Sequence, residues 1–295
     1  MSTKAIDPRA LARVEQRQAH APAAPWLHTE VARRMAERLA LIRLQPAALV
    51  DWWSHAGGSQ ALLAAAYPNA LRLRVEPAAA MPTSDEGSAP WWSARRWRRE
   101  AAPVPDTAVP MASGQLLWSN MMLHTARDPE GVMRQWRHAL AADGFLMFST
   151  LGPDTLRGLR ALYQEAGWGS AHAAFTDMHD LGDMLVAAGF ADPVMDQEPL
   201  TLTWATPEAL LSELRLLGGN ADPARFDGLR TPRWRSRLVD ALAARAGADG
   251  RIALEFELVY GHAFNPPPRA KLAAETRVSL DDMRAMTRAA RRGAR

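Results

Sequence analysis

The chain has no cysteine among its 295 residues, which excludes disulfides, thiolate nucleophiles and cysteine-ligated zinc or iron–sulfur sites. Lysine is almost missing too: it occurs only at Lys4 and Lys271, so arginine carries the basic charge. No apolar run approaches the ~18 residues of a membrane span, and the N-terminal MSTKAIDPRALARVEQRQAH lacks the apolar core of a signal peptide. The chain reads as cytoplasmic, with no membrane partner. Formal charge is only +3, with 23% charged and 48% hydrophobic residues, the balance of a folded domain with a sizeable core. So small a basic excess does not by itself argue for nucleic acid.

What is present is an alternation of strand and helix patterns. Residues 5–20 read as a polar, loosely held helix. From Trp26, Val31, Met35, Leu39 and Ile42 recur on a helical period, which predicts an amphipathic helix packed on the body. LVDWWSHAGGS, Leu49 to Ser59, then reads as a strand entering a glycine turn, with a helix from about Gln60. LRLRVE, Leu71 to Glu76, alternates as a strand that ends on an acid. Strand, glycine turn, helix, strand and acid make the first half of a nucleotide-binding βαβ unit, where the acid accepts hydrogen bonds from a ribose. The same pattern also describes an ordinary crossover with a solvated glutamate.

Further along, Trp91, Trp92 and Trp97 alternate with Arg95, Arg96, Arg98 and Arg99. Such a segment stacks on bases or receives an acidic carrier protein in one reading; in the favoured one its indoles pack and its arginines stay in water. QLLWSN reads as a buried strand, PEGVMRQWRHAL as a helix capped by Asp128, Ala141 to Gly144 as a turn, and FLMFST as a strand of a parallel sheet. Helices are expected after Asp154 and Asp177 as caps, and after Thr206 with Pro207 at its first position. IALEFELVYGHAF, Ile252 to Phe264, predicts an antiparallel strand at or near the sheet edge. His179 with Asp177, Asp180 and Asp183 gives no closed metal-ligand spacing, so no metal is assigned.

SNMMLH, ADGFLMFSTLGPDTLRGLR, FTDMHDLGDMLVAAGFADPVMD and FELVYGHAF together resemble the malonyl-acyl carrier protein O-methyltransferases of biotin synthesis, a family of class I S-adenosylmethionine-dependent enzymes. The resemblance runs from about Trp26 to Phe264. It implies an α/β fold, a Rossmann-like seven-stranded methyltransferase sheet with flanking helices and the last strand antiparallel. The expected division is a polar segment at residues 1–25, a methyltransferase-like domain at 26–265 that the resemblance covers, and a tail at 266–295 that is polar, basic and without a clear apolar face and so reads as mobile. It also implies S-adenosylmethionine as cofactor and an acyl thioester on acyl carrier protein as partner and substrate, the methyl going to a free carboxylate. Laid onto the family pattern, cofactor-binding positions are Asp51, Gly57, Gly58, Glu76 and Asn120. His124, just past the SNMMLH strand, and Arg157, after GPDT with Arg160 beside it, are the candidates to hold the acceptor carboxylate.

The chain departs from the family at its cofactor loop. Two of the positions where the family has glycine are Trp53 and His55, although glycine there supplies positive φ or room for the ligand. Gln115 stands where the family has aspartate, and Glu100 is the only weak candidate for an adenine contact. Three readings stay open: an active methyltransferase with an unusual loop, a family member with impaired cofactor binding that serves as a structural, regulatory or carrier-binding partner, and a nucleic-acid or carrier binder using this fold.

Overall fold

A computed structural model describes residues 6–81 and 102–267. The Trp/Arg segment 91–99, Glu100 and the tail beyond Pro267 lie outside the described residues. Parallel strands β1 (Ala48–Trp52), β2 (Leu71–Glu76), β3 (Val104–Pro105), β4 (Gly114–Ser119) and β5 (Leu140–Leu151) are joined by antiparallel β6 (Ala191–Trp204) and β7 (Ile252–Phe264). The order is β3-β2-β1-β4-β5-β7-β6, so β7 inserts between β5 and β6 and leaves β6 on the edge. A strand's side chains alternate between faces. Leu49, Leu116, Trp118 and Phe145 accordingly pack one way, against α2 (Trp26–Arg38), α4 (Gln60–Ala66), α6 (Arg157–Glu165), α8 (Pro207–Leu216) and α9 (Pro232–Ala243). Val50, Trp52, Leu117 and Phe148 pack the other way, against α5 (Pro129–Ala139) and α7 (Met178–Ala187).

Locally encoded caps appear where the sequence places them. Asp128 accepts from Gly131 N–H at 2.8 Å, Asp177 from His179 N–H at 2.8 Å and Thr206 from Ala209 N–H at 3.2 Å. Three expectations change. Asp154 does not cap α6: its carboxylate pairs with Arg157, its N–H donates to Glu257 at 2.7 Å, and the N-cap position falls to Leu156 at φ 56°. β5 begins at Leu140, because the expected turn at Ala141–Gly144 is held in the sheet by Asn265, whose amide donates to Leu140 and Ala141 carbonyls at 2.8 and 3.1 Å. The N-terminal helix α1 (Pro8–Ala19) is firmly seated. Ala10, Leu11, Val14 and Gln18 are buried, its cap Asp7 pairs with Arg225, and Arg17 donates to the Gly218 carbonyl at 2.7 Å.

Candidate active site

The crossing from β1 to α4 differs from the glycine turn expected. β1 ends at Trp52, and Trp53 adopts the left-handed conformation, φ 54° and ψ 53°. It leads into a four-residue helix α3 (Ser54–Gly57), closed by Gly58 at φ 68°. Glycine at position 58 is required twice over: by that φ, and because a Cβ there would lie 2.7 Å from the Ala24 Cβ. Trp53 therefore fills the conformational role of a glycine despite its side chain. It does not leave the space, since its indole is buried and donates to Asp106 Oδ2 at 3.2 Å. His55 is exposed, with its ring nitrogen 3.0 Å from the Ala21 carbonyl oxygen.

The sequence-derived acids converge on this loop. Glu76, at the end of β2, accepts from the Ser54 hydroxyl at 2.6 Å and from His55 N–H at 2.9 Å. Burial pushes its carboxyl above the usual range while those two donors work against the shift. Asp51 is buried, and its Oδ2 meets no hydrogen-bond partner among the described residues. Burial raises its carboxyl to about 7, opposed by Arg72 and Arg74 and reinforced by the Glu76 charge. Asn120 engages its amide elsewhere: it donates to the carbonyls of Gly57 at 2.6 Å and His28 at 2.7 Å and accepts from Ser149 at 2.7 Å. It thus ties the loop to α2 and β5. Gln115, in the family's aspartate position, accepts from Ala48 N–H at 2.9 Å and anchors the start of β1.

Two cavities border this loop, and a third lies apart from it; the most voluminous, about 1140 Å³, is bounded by Ser54, His55, Gly58, Tyr67, Arg72 and Glu76. The smaller, about 20 Å³, lies among Glu15, Gln18, Trp53, Glu76 and Met122. The cavity apart from the loop, about 260 Å³, is mostly apolar, and its walls include Val14, His124, Leu159, Phe175 and Arg215. His124 sits in the turn after β4, its ring edge-on to Phe175 at 5.8 Å between centroids. Arg157 is exposed beside Asp154 and does not reach this cavity. Arg160 likewise turns away, donating to the Pro153 carbonyl at 2.6 Å. α1 contributes to the walls of two cavities, with Val14 in this one and Glu15 and Gln18 in the smallest. None of these α1 residues stands out in the sequence, where the helix reads as polar; a buried glutamine becomes visible only once the helix is docked.

No protein-family model matches the chain. It is 37% identical over 275 residues to the malonyl-[acyl-carrier protein] O-methyltransferase of Gallionella capsiferriformans, covering 91% of this chain and 94% of that protein. Over 265 residues it is 39% identical to the protein of the same name from Laribacter hongkongensis, covering 88% and 87%. The chain belongs to the malonyl-[acyl-carrier protein] O-methyltransferase family. Its fold agrees with this membership. The YcgJ protein of Bacillus subtilis superposes with a TM-score of 0.51 at 11% identity, over 81% of this chain and 99% of that one. A methyltransferase-like protein of Bacillus halodurans gives 0.51 at 13% identity, over 80% and 100%.

In this malonyl-[acyl-carrier protein] O-methyltransferase family member, the groups at the strand ends fit the polar parts of S-adenosylmethionine. Glu76 ends β2 with its carboxylate turned to the Ser54 hydroxyl and the His55 N–H, while the Asp51 Oδ2 and the Gln18 amide, which meet no hydrogen-bond partner among the described residues, are buried polar atoms of the kind a polar ligand satisfies. The space is the constraint. About 20 Å³ between Gln18, Trp53 and Glu76 holds about one water, too little for a nucleoside, whereas the cavity of about 1140 Å³ that Ser54, His55 and Glu76 also border has the volume for one.

Proposed function

We propose that the chain is an S-adenosylmethionine-dependent O-methyltransferase that esterifies the free carboxylate of a malonyl-type thioester carried by acyl carrier protein. The observation that carries this reading is the placement of Asp51, Glu76 and the apolar cavity with His124 at one end of the parallel strands, in a chain alike over most of its length to proteins of that name. The donor, when bound, supplies an electrophilic methyl on a positively charged sulfur.

The chain's own contribution needs little proton transfer. A carboxylate is ionised at neutral pH and is already a nucleophile, so the work is alignment and exclusion of water. We assign alignment of the acceptor to the apolar cavity of about 260 Å³ beside His124. Its apolar walls exclude water from the acyl chain, and His124 and Arg215 offer polar groups to the carboxylate end. Arg157, expected in that role from the sequence, stands on the surface. Asn120 keeps Gly57 in register with α2 and so holds the donor loop in shape. The test is incubation with S-adenosylmethionine and malonyl-carrier protein, followed by mass spectrometry. The expected product is a base-labile ester one methylene heavier; an unchanged carrier refutes the activity.

The alternative reading also rests on a specific observation. With Trp53 and His55 in glycine positions and the smaller cavity so confined, a carrier-binding partner without methyl transfer is the second choice. Retention of malonyl-carrier protein by the chain, without ester formation, would favour it.

A further inference from the structure

The three arginines of α2 are all matched by acids: Arg33 and Arg34 pair with Glu30, and Arg38 pairs with Asp196. On α1 the pattern is different. Arg9, Arg13 and Arg17 recur at four-residue steps and so share one face of the helix. All three are exposed, and none forms an ion pair among the described residues. Like charges four residues apart weaken a helix, so this stripe opposes the element that carries it.

The stripe ends at the apolar cavity of about 260 Å³. Arg17 donates to the Gly218 carbonyl at 2.7 Å, and Gly218, Gly219 and Arg215 line that cavity together with Leu11 and Val14 of α1. Gly219 and Arg215 are exposed, so the cavity meets the surface beside Arg17. Burial lowers the Arg17 guanidinium from its usual value, and the charges of Arg215 and then Arg13 add to the shift. Cations are thus crowded at a cavity edge with no carboxylate between them. Leu216, 56% exposed next to Arg215, adds an apolar contact to the same edge.

An acyl group tethered to a carrier protein leaves its carrier outside the cavity, with the thioester arm running out past the edge. That arm contains a phosphodiester and the carrier is acidic, so both are attracted to a basic rim. A nucleic acid offers the same charge but no acyl group to fill the cavity. We propose that Arg9, Arg13 and Arg17 of α1 form the docking surface for an acidic acyl carrier protein, set so that its thioester arm enters the apolar cavity beside Gly218. This rests on the acceptor reading given above.

Surface plasmon resonance of malonyl-carrier protein over the immobilised full chain tests it, because binding is read without methyl transfer. The double variant Arg9→Glu/Arg13→Glu is expected to slow association about tenfold or more at low salt and to leave dissociation within about twofold. Ester formation on malonyl-pantetheine, which has neither carrier nor phosphate, should stay within about twofold of wild type. Arg9→Gln/Arg13→Gln, which removes charge without reversing it, should show a smaller loss in the same direction. Unchanged association in both variants, or a loss on malonyl-pantetheine as large as that on the carrier, would overturn the proposal, while ester formation by wild type would still uphold the activity. Arginine-dependent carrier binding with no ester formed by wild type would uphold the surface and refute the activity. Arginine-dependent affinity for a DNA duplex, with none for the carrier, would overturn the proposal as well.

Discussion

Trp53 holds a backbone conformation that disfavours any L-residue by about 1–2 kcal/mol, and what keeps it there is the burial of its indole and the hydrogen bond to Asp106. Removing that indole forfeits about 3–5 kcal/mol of packing, more than the strain released. Trp53→Gly is therefore expected to unfold at lower urea concentration, by about 2 kcal/mol, and yet to bind S-adenosylhomocysteine more tightly than wild type because glycine at that position leaves room for the ligand. A second residue-scale prediction concerns pH. Asp51, raised by burial to about 7, favours the folded state below its unfolded value near 4, and this contribution is lost as pH rises to about 7. His28, lowered by burial to about 4 and donating through Nδ1 to the Ala56 carbonyl at 2.8 Å, acts oppositely: its contribution is lost as pH falls from the ordinary 6.5 through 4. The two slopes oppose each other across nearly the same window. Asp51→Asn should leave a stability that rises with pH between 4 and 7, and His28→Gln one that falls; urea midpoints at pH 4.5 and 7.5, about the ends of that window, separate them. Asp51 and Glu76 were legible in the sequence because a strand-end acid is a local pattern. Trp53 and Gln18 were not, since a left-handed tryptophan and an orphaned amide exist only through tertiary packing.

At the scale of elements, caps explain which boundaries the sequence discloses. Asp128, Asp177 and Thr206 bond within three residues of themselves, so nothing distant competes. Asp154 loses its capping role because Arg157 and the distant Glu257 compete for it, and the start of α6 moves accordingly. The same distinction applies to α1, polar in sequence yet clamped through Arg225, more than two hundred residues away in the chain. The Arg225 guanidinium holds the Asp7 carboxyl below its usual range. Arg225→Ala should accelerate amide hydrogen exchange across residues 8–19 while β4 and β5 exchange as before. Unchanged exchange in α1 would show that the Arg17 contact alone retains the helix.

For the whole molecule, periodicity disclosed strands and helices, but the sheet order came from family resemblance, because nothing in IALEFELVYGHAF says which neighbours it takes. The insertion of β7 between β5 and β6 leaves the fourteen-residue β6 outermost. A long free edge is a template on which other chains can add strands. Here Pro193 and Pro199 withhold two N–H donors, the register breaks between Ala191 and Val194, and Asp196 and Glu198 are engaged by Arg38 and Arg34 of α2. Pro199→Val is expected to increase concentration-dependent light scattering on mild heating without lowering catalytic turnover. The prolines of β6 thus serve solubility more than architecture: they let an open sheet end in water without recruiting its own copies.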